Sequence, residues 1–263
     1  IAGFTYLSSK MEAEELIDLL NAVYTQIDQA AEYIGQIWKV ETIGDCYIAV
    51  AGGPLECRDH ATRAVTLGLC ILDIADKISA IAQVPINLRV GIHSGSITVA
   101  GFGALMPRCL IFGKDPQIAR VLEAAGEYNC VHVSEHTLAE LESQPQLNAR
   151  LHDQVEELVP CNMRSYTLPM AESLSWWRRV GAQFDGLLHF HRDLNRMSEV
   201  AREKEGEAPG MSYVRQLSTL SSSFSGSMGS SKTDSVFSEM KPLASPKPAS
   251  PKPGGVSRGG GGR

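Results

Sequence analysis

The sequence predicts an α+β sandwich of ferredoxin-like character. Two long runs with helical periodicity, Met11 to Gln36 and His60 to Ala82, flank a β-hairpin centred on Gly44. Strand patterns follow at 87–93 and 96–100, then at 110–112, 130–133, 154–158 and 164–168. Strand, helix, hairpin, helix and strand in this order pack as a sheet against helices.

The first helical run carries Leu16, Leu20, Val23, Ile27 and Ala31 at three- and four-residue steps, the expected core face. Glu12, Glu14, Glu15 and Asp18 crowd its first turns, where the positive end of the helix favours them. Trp38 to Thr42 then alternates as a strand, turns at Gly44, and resumes from Cys46 to Ala51 before Gly52-Gly53. This turn thrusts the Asp45 carboxylate out at the hairpin tip. Glu41 lies two positions before Ile43 and so points to a defined strand face.

The second helical run uses Ala64, Leu67, Leu69, Ile71 and Ile74 as apolar positions. The strand at 87–93 breaks at Ser94-Gly95, and Gly101, Gly103 and Pro107 mark a loop. A helix is expected near Gln117 to Ala125, and Ser134 is the expected cap of another, with Glu135 behind it.

Beyond Pro169, residues 170–204 read as a helical extension with Trp176, Trp177, Val180, Phe184, Leu187, Leu188 and Leu194 as its apolar positions, packed on the domain or on a partner. His189 and His191 face apart on a helix, which argues against a metal pair. Residues 205–263 are Ser-, Gly-, Pro- and Lys-rich and cannot bury enough apolar surface to fold; a disordered tail is expected. Its near-repeat, Ser245-Pro-Lys-Pro-Ala then Ser250-Pro-Lys-Pro-Gly, suits a proline-reading domain or phosphorylation at Ser245 and Ser250; a plain flexible tail is the default.

A net charge of -6 over 263 residues leaves no footprint for nucleic acid. No run approaches the roughly 18–20 apolar residues of a membrane span. The chain opens on Ile1 inside a motif, which leaves an upstream anchor or sensor open. Cysteines 46, 57, 70, 109, 130 and 161 lack CxxC spacing and read as reduced, partly buried thiols, which suits an intracellular compartment.

Gly3-Phe4-Thr5, Lys39-Val-Glu-Thr-Ile-Gly-Asp45, Arg89-Val-Gly-Ile-His-Ser-Gly95, and Met106-Pro-Arg108 through Phe112-Gly113 occur together in this order. In order and near-spacing they resemble the class III nucleotide cyclases, most closely the eukaryotic guanylate cyclase catalytic domain, over roughly residues 1–168. The resemblance implies a catalytic domain at 1–169 with the same ferredoxin-like fold. It further implies head-to-tail pairing with a homologous domain, and conversion of GTP to cyclic GMP and pyrophosphate with two Mg2+ or Mn2+ ions. It makes Asp45 a metal carboxylate, Ile1 a backbone metal ligand, and Gly3, Phe4 and Thr5 the surround of the triphosphate. The family's second metal Asp is expected immediately before Ile1. Glu41 stands where guanylate cyclases carry Glu and adenylate cyclases Lys; a carboxylate accepts the paired N–H donors of guanine.

The pattern also departs from the family. Leu110 occupies the position of the family's purine-contacting Cys, with Cys109 one residue early. Gln117 stands for the ribose-orienting Asn and Val121 for the phosphate-neutralising Arg; Arg120 is one residue early, about 100° round the helix. The triphosphate lysine is absent from Val159-Pro-Cys-Asn-Met-Arg164, which leaves Arg164 as a poor stand-in. Loss of the Asn and Arg resembles the α subunit of soluble guanylate cyclase, whose β partner supplies them. The expected function is therefore the metal-donating half of a heterodimeric guanylate cyclase. Two alternatives stay open: a pseudo-cyclase kept for dimerisation or nucleotide sensing, and an adenylate cyclase.

Overall fold

The computed structural model describes residues 1–103, 108–141, 147, 149–152, 155, 163–203 and 214. Met106, Pro107, most of the predicted strand at 154–158, Cys161, Ser245 and Ser250 lie outside these residues. Along the chain run α1 (Phe4–Ser8), α2 (Ala13–Ile34), β1 (Ile37–Ile43), β2 (Cys46–Ala51), α3 (His60–Ala82), β3 (Val90–Ile92), β4 (Thr98–Phe102) and β5 (Arg108–Phe112). They are followed by α4 (Asp115–Ala125), β6 (Cys130–Ser134), α5 (Glu135–Leu141), β7 (Arg150–Leu151), β8 (Ser165–Pro169), α6 (Met170–Gly181) and α7 (Leu187–Glu203). This is the mixed α+β architecture that the sequence predicts.

The strands form a β1-β2 hairpin, a β4-β5 hairpin, and a four-stranded sheet ordered β3-β6-β8-β7. β3 and β6 are parallel, while β8 runs antiparallel to both its neighbours. The start of the chain lies between two of these pieces. Ala2 N donates to Asn87 O at 2.7 Å on the side of β3, and Ile1 N reaches Asp45 O at 3.3 Å on the side of the hairpin.

α3 is the hub of the core. It packs on α2, α5, α6 and α7 as well as on β2, β3 and β6. Its buried residues therefore encircle it and include Thr62, Thr66 and Asp73 beside Leu67, Leu69, Ile74 and Ile78. Thr66 satisfies its hydroxyl on the Thr62 carbonyl at 2.7 Å, as a buried polar group must. Gly68 lets the helix lie close on the sheet: a Cβ there would come within 3.1–3.2 Å of Ile92, Val131 and Val90.

α2 buries a face slightly rotated from the one expected. Leu19, Ala22, Val23, Gln26, Ile27, Ala30, Ala31 and Ile34 are inside, while Leu16 and Leu20 are only partly buried. α2 packs against α3, and the fully buried Ala22 and Ala30 belong to its inward face with the larger Leu19, Ile27 and Ile34. Gly35 ends the helix at φ +70, and Arg63 of α3 donates to the carbonyls of Ile34 and Gly35 that the helix leaves unpaired.

The single extension expected at 170–204 is two helices. The chain turns at Gly186, φ +82, where a Cβ would stand 2.6 Å from the Tyr33 ring. That turn returns Leu187 and Leu194 to the core that holds Trp176, Trp177 and Val180. Trp177 Nε1 donates to Cys70 Sγ at 3.2 Å, and His191 Nδ1 lies 2.8 Å from the Asp73 carboxylate. His191 thus serves the α3–α7 contact, while His189 is exposed. Among the described cysteines, Cys70 and Cys130 are buried as expected but Cys46 is exposed, because it sits at the hairpin tip.

Candidate active site

The sequence builds the tip of the β1-β2 hairpin with two residues. Ile43 pairs with Cys46, so Gly44 and Asp45 form the turn, and Gly44 adopts φ +59 as such turns require. A β-bulge between Lys39 and Glu41 then divides two side chains that simple alternation would put on one face. Lys39 turns toward α2, where its Nζ meets Asp28 Oδ2 at 2.8 Å. Tyr47, paired with Thr42, also faces α2 and donates to Asp28 Oδ1 at 2.8 Å. Glu41 pairs with Ile48 and shares with Ile43 and Cys46 the face turned away from that helix. The bulge carries no sequence signature and was not anticipated.

Asp45 is brought together with the chain start. The Ile1 backbone nitrogen lies 3.0 Å from Asp45 Oδ2, and the Asp45 side chain is 31% exposed. Among the described residues no group of three His, Cys, Asp or Glu converges to hold a metal. Hard divalent cations are commonly held by one or two carboxylates together with substrate phosphates, and Asp45 fits one such shared ion. Gly3, at φ +68, leads into α1, so Phe4 and Thr5 open a one-turn helix directly after Ile1. Thr5 is exposed and Phe4 half-buried.

β5 runs beside β1, which sets the strand of Leu110 against the strand of Glu41. Leu110 pairs with Ala100 and Cys109 with Gly101; both side chains are half-buried. Gln117 and Arg120 are exposed on α4. Val121 instead packs with Ile118, Ala125 and Met163 around Leu122 and Val155, so this apolar position belongs to a small core and offers nothing to a phosphate. α4 is held against β3 by Arg89, which grips Glu123 at 2.8 and 2.9 Å, and by Gly91, where no side chain would fit. At its start, Asp115 accepts Ser96 N at 2.5 Å and faces His93 Nε2 at 3.5 Å.

The charges of α4 reach the hairpin tip. Although its side chain is exposed, Cys46 is partly desolvated by its surroundings, which pushes the thiol upward; Glu123 adds to the rise and Arg120 opposes it. Arg164 is engaged elsewhere. Its Nε lies 3.1 Å from Glu135 Oε2 at the start of α5, where Ser134 Oγ accepts Thr137 N at 3.3 Å as the predicted cap. The structure thus joins Asp45 to Ile1 and sets the strand of Glu41 beside the strand of Leu110, while Arg164 lies in another ion pair.

A family model described as the adenylate and guanylate cyclase catalytic domain matches residues 1–169. The chain belongs to this family. The cyclase domain is similar to the guanylate cyclase soluble subunit alpha-1 of Canis lupus familiaris, 30% identical over 199 residues that cover 72% of this chain and 28% of that protein. This match takes in more of the chain than the family domain does, so it includes α6. Adenylyl cyclase X E of Drosophila melanogaster is 34% identical over 142 residues, covering 54% of this chain and 13% of that protein. The chain thus spans about an eighth to a quarter of these curated relatives. Among solved structures, the guanylate cyclase domain of RhGC from Catenaria anguillulae in complex with GTP aligns with a TM-score of 0.58 and 29% identity, over 64% of this chain and 91% of that one. Among the described residues, no helix of the cyclase chain is long and apolar enough to cross a membrane.

Tyr24 and Asp28 on α2 were missed from sequence, although they stand one helical turn apart and face the hairpin. Tyr24 OH donates to Gly44 O at 2.8 Å. Burial, then the charges of Asp45 and Cys46, push the Tyr24 hydroxyl up to about 12.

Proposed function

We propose that this domain is the cation- and purine-binding half of a guanylate cyclase that works beside a complementary cyclase domain. The observation that carries this reading is the Asp45 turn, where a partly exposed carboxylate stands at a hairpin tip within 3.0 Å of the Ile1 backbone nitrogen. Asp45 would hold magnesium or manganese, with Ile1 contributing backbone. A bound ion supplies Lewis-acid stabilisation to the charge that develops during phosphoryl transfer. Gly3, Phe4 and Thr5 would surround the triphosphate. Glu41 would accept the N1 and N2 protons of guanine, and Leu110 would offer apolar contact alone to the same base.

In the reaction, the ribose 3′ oxygen bonds to the α-phosphorus, the bond from that phosphorus to the bridging oxygen of the β-phosphate breaks, pyrophosphate departs with that electron pair, and the hydroxyl proton is released. Gln117 is the candidate for orienting the ribose. No cation stands at the Val121 position, and absence of a preorganised charge of this kind typically costs about 10²–10³ in rate. The packing of a partly buried Val121 into an apolar cluster supports a partner domain as the source of that charge. Similarity to a protein named as a soluble subunit, running on through α6, supports the same reading.

The same Val121 and the commitment of Arg164 to Glu135 favour a second reading, a catalytically degenerate domain retained for dimerisation or nucleotide sensing. Cyclase assays with manganese and either GTP or ATP separate the two, run on the chain alone and mixed with a domain that bears the Asn and Arg. The half-site reading expects product in the mixture, with GTP preferred and the preference moved toward ATP by Glu41→Lys. An inactive mixture refutes it. Preferential use of ATP would make the domain an adenylate cyclase half-site.

A further inference from the structure

A Cβ at Gly44 would meet nothing within 4 Å, so that side of the Asp45 turn is open. Polar contacts tie the turn to the rest of the domain, and Ile1 N reaches Asp45 O at 3.3 Å. Tyr24 OH reaches from α2 to the Gly44 carbonyl at 2.8 Å. That carbonyl belongs to the planar peptide unit that carries Asp45 N, so holding it orients the bond from which the Asp45 side chain departs.

One helical turn further along α2, Asp28 braces both strands below the tip. It takes Lys39 Nζ of β1 on one oxygen and Tyr47 OH of β2 on the other, each at 2.8 Å. Lys39 Nζ also lies 5.0 Å from the Tyr47 ring centre and 5.8 Å from that of Tyr24, within cation–π range. The two rings stand 6.0 Å apart. These four side chains tie one helix to both arms of one hairpin.

We propose that Tyr24 is a positioning residue: through the Gly44 carbonyl it sets the Asp45 carboxylate for a divalent cation, with Asp28, Lys39 and Tyr47 bracing the same hairpin. The proposal rests on the reading of Asp45 as a cation ligand. Tyr24→Phe removes the hydroxyl and keeps the ring.

The test measures Mn2+ binding by electron paramagnetic resonance in the presence of a non-cyclisable GTP analogue, on the full chain and its Asp45→Ala, Tyr24→Phe and Asp28→Asn variants. Thermal melting and amide hydrogen exchange are followed in parallel. Asp45→Ala should lose the site. Tyr24→Phe should bind Mn2+ roughly 2–10-fold more weakly, the equivalent of one net hydrogen bond. Exchange at the Asp45 and Cys46 amides should quicken, with the melting temperature little changed.

A merely structural tyrosine would lower the melting temperature and leave the Mn2+ affinity of the folded chain alone; that result overturns the proposal. If Asp45→Ala binds Mn2+ as the parent does, the cation reading of Asp45 fails. Hydrogen exchange then decides whether Tyr24 holds the turn, and unchanged exchange in Tyr24→Phe overturns that too. Should Tyr24→Phe fail to fold, Asp28→Asn is read in its place. It must weaken Mn2+ binding and quicken exchange at the same amides, and parent-like values for both overturn the proposal.

Discussion

Gly91→Ala probes the contact that places α4. A Cβ at Gly91 would stand 2.2 Å from Glu123 N, 2.5 Å from Ala119 O and 2.8 Å from Glu123 Cα, all backbone atoms of the helix. No rotamer change relieves a clash with backbone, so α4 must withdraw by about 1 Å to regain ordinary contact distance. Forced overpacking of this kind costs about 1–3 kcal/mol. For a domain of this size that lowers the melting temperature by roughly 2–12 °C. The same movement displaces Gln117 and Arg120, and a displacement near 1 Å can cost about 10²-fold in a positioned reaction. Differential scanning calorimetry reads the first effect. The cyclase rate of the mixture with an Asn/Arg-bearing domain, corrected for folded fraction, reads the second. A Gly91→Ala chain that melts and works like its parent would refute the backbone contact between β3 and α4.

The buried tryptophans of α6 give a paired prediction. Trp177→Ala should cost about 3–5 kcal/mol in a urea melt, since it empties a fully buried site and removes the bond to Cys70. Trp176 Nε1 has no hydrogen-bond partner among the described residues, so Trp176→Phe should cost less than Trp177→Phe; the reverse order in parallel melts would contradict the packing of α6. Acid should weaken the fold. Burial holds the imidazoles of His93 and His132 below their ordinary value, so in the folded chain they resist protonation. Above an ordinary histidine pKa of about 6.5 both are neutral whether folded or unfolded, and as pH falls below it the unfolded chain takes up protons that the folded chain refuses. Urea midpoints should therefore drop between pH 7.5 and pH 5.5, and a His93→Asn/His132→Asn double variant should show a shallower drop; equal slopes would refute this assignment.

The features most readable in the sequence were those set by local chemistry. A glycine between two alternating strands forces a hairpin, and its neighbour Asp45 must then stand at the tip. Ser134 had to cap a helix because its hydroxyl precedes Glu135 at the end of an apolar strand. What required tertiary structure was less visible. α1 is only five residues long and begins from a left-handed Gly3, which helical periodicity cannot detect. The buried face of α2 depends on where α3 comes close, and the break at Gly186 depends on the ring of Tyr33. At the site, the bulge that sends Lys39 and Glu41 to opposite faces leaves no mark in composition. The spacing of Tyr24 and Asp28 was available to be read, but only the hairpin folded against α2 gives those two side chains a purpose. Val121 shows the same lesson in reverse. From sequence it is a missing arginine; in the fold it is part of an apolar cluster around Leu122.

The most direct test of a cation-holding half-site is Asp45→Ala in the mixture with a complementary cyclase domain, assayed with Mn2+ and GTP. Cyclic GMP formation should fall to the level of the complementary domain alone, with the variant still folded and still paired by size-exclusion chromatography. A mixture that keeps its full rate without the Asp45 carboxylate would contradict the role assigned to the hairpin tip.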